Sequence, residues 1–238
     1  MWARWLGVGL AAILAVVTLS LTFTGRLQLY INPAQAWFAC GMAILILVGT
    51  VASFALRPGE EHQDHGHDHG SESRAGLVAA VAGGGIATVV ALAALVLPPA
   101  ALSAELAMER DTGTPPLFAG ADDVELGIVD TSGFGVGDWS ATFATATSPE
   151  RYEGETVALT GFITADESGS PSLTRLVITH CVIDAQSASL PVGPGLPDGL
   201  ETGQWVELTG EIVVAEDGLA IEATGAETIA EPTDPYEY

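Results

Sequence analysis

Between Trp5 and Leu56 a single charged residue, Arg26, interrupts the chain, and a third uncharged run extends from about Gly76 to Leu97. Apolar stretches of this length must be covered, by other protein or by lipid. At 1.5 Å per residue, about twenty residues cross a hydrocarbon core of ~30 Å. The pattern therefore predicts three transmembrane helices, at about 5–25, 34–55 and 76–97. The first run exceeds the apolar core of a secretory leader, and Thr22-Phe23-Thr24-Gly25 offers no small-x-small cleavage site, so it reads as a span. Pro33 after Asn32 suits an interfacial turn, and Trp2, Trp5, Tyr30 and Trp37 fall where an aromatic belt places them. Gly83-Gly84-Gly85 and many alanines suit the third run to close helix packing.

Charge divides the molecule. The net charge is -23; four arginines oppose five Asp/Glu up to residue 100, and three oppose twenty-five after it. So acidic a second half repels phosphate backbones, which argues against nucleic acid and for cations or basic partners. Counting arginines on either side of the spans favours an inside N-terminus, with Arg4, Arg57 and Arg74 cytoplasmic. The expected localisation is a multi-pass cell-membrane protein with an extracytoplasmic C-terminal domain.

Two groups of residues have metal-ligand chemistry. The loop 57–74 carries His62, His65, His67 and His69 interleaved with Asp64 and Asp68, a composition that suits zinc or another divalent transition metal. A solvated connector with incidental metal affinity accounts for the same residues. Farther on, His180, Cys181 and Asp184 are competent ligands, although strand alternation sets Cys181 opposite the other two and cysteine is a frequent core residue. Cys40 and Cys181 lie in different halves, so no disulfide is expected. No phosphate-binding glycine loop, nucleophile elbow or zinc-protease helix occurs, so the sequence gives no support to an enzyme.

Residues 101–122 read as a linker and 123–238 as a soluble acidic domain, with a short strand over Val124–Val129 and a helix at about 138–147 capped by Asp138. Alternation then takes over: Val157, Leu159, Gly161 and Ile163; Leu176, Ile178 and His180; Val206, Leu208, Gly210 and Ile212. Strands this close, with glycines inside two of them, suggest a small OB-like barrel. A flat antiparallel sheet with one covered face is the alternative. The expected fold class is thus α + β, three membrane helices followed by an all-β barrel.

Tyr30-Ile31-Asn32-Pro33, Leu97-Pro98-Pro99, Tyr152-Glu153-Gly154, the Arg175–Ala185 segment and Gly203-Gln204-Trp205-Val206 together resemble the YcgQ-type family of bacterial membrane proteins. The resemblance covers most of the chain. It implies a permease subunit with an OB-like C-terminal domain, partnered by a multi-span permease. Where the family commonly has a Cys-Cys pair, this chain has His180-Cys181, which keeps a zinc-type ligand and removes a vicinal dithiol. The expected function is a membrane-anchored accessory subunit of a permease linked to divalent metal or another solute; the alternative is a metal sensor or metallochaperone.

Overall fold

The computed structural model describes residues 2–55, 74–97, 101–102, 104–110, 130–165, 169–197, 199–215 and 218–238. The histidine-rich loop and the expected strand at 124–129 lie outside the described residues. The chain forms two compact units, Met1–Ala100 and Ala101–Tyr238.

The first unit is helical: α1 (Trp2–Phe23), α2 (Ala36–Ala55) and α3 (Arg74–Val96), with α1 packed against both others. Asn32 caps the turn before α2 by accepting the Ala34 N–H at 2.9 Å, ahead of Pro33. Ala15, Ala43 and Ala91 are buried, as close helix packing requires. The three-span expectation is corrected here. Among the described residues only Pro33–Ser53 is long and apolar enough to cross a membrane; Gly7–Phe23 and Val81–Ala94 fall in the range of 10–17 residues, short of the ~30 Å a hydrocarbon core demands.

The second unit is built on β1 (Thr156–Ala165), β2 (Pro171–Val177), β3 (Gln186–Pro191), β4 (Trp205–Ala215), β5 (Gly218–Thr228) and the two-residue β6 (Tyr236–Glu237). The order β3-β2-β1-β4-β5 is antiparallel throughout, and β6 adds parallel to β2. The barrel expectation is corrected as well. Closure needs a continuous ladder between the end strands. Among the described residues the segment after β3 meets β5 only through the bridge of Val192 to Ile221 and the backbone bonds Gly193 to Ile221 and Ala223 to Pro194, which make no continuous ladder, so the sheet is open. The in-strand glycines nonetheless mark irregular backbone. A Cβ on Gly161 would stand 2.7 Å from the Thr174 carbonyl, where β1 passes from β2 to β4. Gly210 sits at a register shift between β4 and β5, and its Cβ would stand 2.5 Å from the Glu222 carbonyl.

The main core joins Leu159, Leu208, Ile212 and Ile221 from the sheet to Val136 and Trp139 from α5 (Val136–Thr145). Trp139 makes edge contacts with Phe134, Phe143 and Tyr152 at 5.3–6.0 Å. Asp138 is not the cap of this helix, which begins two residues earlier; from the third helical position its carboxylate accepts the Gly135 N–H at 3.1 Å. In β2 both alternating sets are buried, Leu173 and Val177 in the main core and Leu176 outside it. The short helix α4 (Ala104–Arg110) lies against β3 and β1 with Ala107 fully buried, inside the stretch read as a linker.

Candidate functional site

The connection between β2 and β3 gathers His180, Cys181 and Asp184. After Val177 the chain leaves the strand, passes Ile178, Thr179 and His180, and makes a short 3-10 turn over Val182–Asp184 before β3. Asp184 is the hub of this turn. Its Oδ1 accepts the Thr179 and His180 N–H groups at 3.2 Å, and its Oδ2 lies 3.0 Å from the His180 nitrogen and 3.2 Å from that of Cys181. His180 Nδ1 lies a further 3.2 Å from the same Oδ2. These contacts engage the lone pairs that a metal would use. They also orient the imidazole: with Nδ1–H donated to Asp184, Nε2 is left as the free ring nitrogen, the arrangement in which carboxylates position metal-binding histidines.

His180 is exposed, and Cys181 is half-buried with extended backbone (φ -151°, ψ 167°), a conformation that sends successive side chains to opposite sides. The structure thus brings His180 and Asp184 into direct contact, while Cys181 joins them through its main chain. Among the described residues no group of three or more His, Cys, Asp or Glu is arranged to hold a metal ion. His62, His65, His67 and His69 lie outside the described residues.

A second feature is the outer face of β1, β4 and β5. Glu207, Thr209 and Glu211 alternate outward on β4, and register sets Glu207 opposite Glu227 and Glu211 opposite Glu222. Like charges placed directly opposite oppose sheet formation. A shallow groove of about 330 Å³ runs over this face between Thr156, Ala158, Thr209, Glu211 and Thr224.

Three residues with a large structural share carried no role in the sequence reading. Arg175 donates to the carbonyls of Thr160 (3.0 Å), Asp234 (2.9 Å) and Tyr236 (3.3 Å), stands 3.9 Å from Glu237 and lies 5.7 Å from the centre of the Trp205 ring. Glu237 and the buried Tyr236 meet it from the last strand. The available signal was an arginine between Thr174 and Leu176 in an otherwise uncharged strand, a position that calls for dedicated acceptors. Next to this group, burial and the hydrogen bond to Asp234 push the Tyr238 hydroxyl well above the ordinary tyrosine range. Asp130 is held below the usual carboxylate range by its hydrogen bonds to Ser132.

Residues 8–113 match the DUF1980 N-terminal domain, and residues 141–238 match the DUF1980 C-terminal domain. The chain belongs to the DUF1980 family. No curated protein and no solved structure matches it. Within the family's C-terminal domain lie both the Asp184-centred turn and the acidic sheet face; α2, α3 and α1 from Val8 on fall in its N-terminal domain.

Proposed function

We propose that this DUF1980 chain is a membrane-anchored accessory subunit of a multi-span permease, presenting its acidic sheet domain to the transporter or its solute. The observation that carries the reading is α2. Only 6% of the apolar window Pro33–Ser53 is buried, and Trp37, Phe38, Leu45, Val48 and Val51 are more than half exposed. Apolar surface of this extent is stable only under lipid or another apolar helix. The resemblance to permease-subunit proteins supplies the partner class, and the acidic face gives the soluble domain an affinity for cations or basic segments. Gentle solubilisation of membranes carrying the tagged protein, followed by affinity capture, tests it: a multi-span permease is expected in the eluate. Capture of the chain from the soluble fraction, or without any such partner from membranes, would sink the proposal.

One observation favours a second reading, in which the chain senses or delivers a divalent metal: the Asp184-oriented imidazole of His180. On this reading zinc bound by the purified protein falls in His180→Ala and in a variant with His62, His65, His67 and His69 changed to serine. Unchanged zinc stoichiometry in both variants removes it.

A further inference from the structure

The C-terminal strand occupies a slot that the sheet itself leaves vacant. β1 pairs with β2 only from Ala165 back to Phe162, opposite Pro171 to Thr174, while on its other edge Thr156 to Phe162 pair with β4. Leu176 and Val177 therefore keep β3 on one flank and lose β1 on the other, and there Tyr236 and Glu237 pair with them in parallel. The Ile178 N–H donates to the Glu237 carbonyl at 2.9 Å, and Arg175 takes the carbonyls of Asp234 and Tyr236.

This short strand grips two other elements. The Glu237 carboxylate accepts the Val136 N–H at 3.0 Å and the Gly137 N–H at 2.7 Å, the first two amides of α5, with the Arg175 guanidinium beside it. A negative charge there complements the helix dipole and satisfies amides that have no acceptor within the helix. Gly135 keeps the place open, since a Cβ on it would stand 2.6 Å from the Glu237 carboxylate. From the preceding residue, the buried Tyr236 hydroxyl accepts the Leu102 N–H at 2.8 Å, two residues ahead of α4. The chain between β5 and β6 carries Pro232 and Pro235, which donate no backbone hydrogen bond, and the strand itself is two residues long. Short strands held by few backbone bonds belong to the parts of a fold that open first.

We propose that β6 is a releasable latch: the slot beside Leu176–Val177, with Arg175 and the α5 amides at its end, is a receptor for an extended peptide bearing a carboxylate, filled here by the chain's own segment Asp234–Tyr238. Its release frees the Leu102 entry to α4 and the N-terminus of α5 together. Both helix ends are tied to the same two residues, Tyr236 and Glu237, so a change at one is read at the other.

Amide hydrogen exchange on the full chain in a membrane mimetic tests the coupling. Glu237→Gln sets an amide NH2 against backbone donors, so exchange at Val136 and Gly137 should rise roughly ten-fold, as loss of a charge-assisted acceptor implies. The latch requires Leu102 to rise with them, although this substitution leaves the Tyr236 hydroxyl in place. Tyr236→Phe should show the converse, faster exchange at Leu102 accompanied by Val136 and Gly137, with β4 and β5 amides unchanged in both variants. If each variant loosens only the amides it bonds directly, the latch is overturned. In a chain ending at Thr233, added peptide Asp-Pro-Tyr-Glu-Tyr should restore slow exchange at all three amides and its Glu→Gln form should not; restoration by neither peptide overturns the receptor. Should that truncated chain fail to fold, the two point variants decide.

Discussion

Both units of this protein are rich in apolar side chains, and they place them oppositely. In the N-terminal unit the large ones face outward: Phe23 is 84% exposed, Trp37 76% and Val96 83%, while the buried positions among the described residues are alanines and Leu27. In the C-terminal unit Leu173, Leu190, Leu208, Ile212 and Ile221 are fully buried, and glutamates alternate with them on the surface. The difference shows that hydrophobicity alone does not say where a core is. Period does: a run apolar on every side of a helix has no inner face and needs an external cover, whereas an alternating run defines its own interior.

The largest effect separates the two units with one kind of substitution. Leu208→Ala removes a fully buried side chain from the sheet core and should cost about 2–5 kcal/mol of the C-terminal unit's stability. Leu45→Ala, at a position 62% exposed, should leave that unit's unfolding within about 0.5 kcal/mol of the parent. Urea titration followed by near-ultraviolet circular dichroism, which reports the packing of the buried Trp139 among its ring contacts, gives both values. Equal losses in the two variants would break the contrast, because they would show that the sheet domain depends on the apolar helix for its own packing.

What was legible in the sequence follows the same division. The strand faces through Leu159, Leu208 and Ile212 were legible because one covered face imposes a period of two, and Gly161 and Gly210 advertised irregular backbone. Closure was not legible, since it depends on whether the last edge pairs meet, and alternation says nothing about which strands lie at the edges. Three spans were read from uncharged length, although two of the described apolar stretches are too short to cross alone. The chemistry of His180, Cys181 and Asp184 was visible as a list of competent ligands. Their arrangement was not, because a carboxylate that satisfies backbone amides in a turn looks in sequence identical to one free for a metal. Arg175, Tyr236 and Glu237 escaped for a related reason: their partners are backbone carbonyls and amides, distant in the chain, that no side-chain motif records.

The smallest expected effect tests why the sheet keeps its like-charge pairs. Glu211 faces Glu222 and Glu207 faces Glu227 across β4 and β5, and among the described residues no ion pair reaches any of the four. Glu222→Gln keeps the length and shape of the side chain and removes one repulsion, so the C-terminal unit should gain roughly 0.2–1 kcal/mol. Because these charges are exposed, the gain should shrink as sodium chloride is raised towards 1 M, where the Debye length falls to about 3 Å. A gain that persists at high salt would point to packing or hydrogen bonding and remove the electrostatic account. A loss of stability would mean that favourable contacts of the Glu222 carboxylate outweigh the repulsion across the strands. The expected result, more stable and less charged, would show that the native face gives up stability to hold negative charge in register, which is the property a cationic solute or a basic segment of a permease would meet.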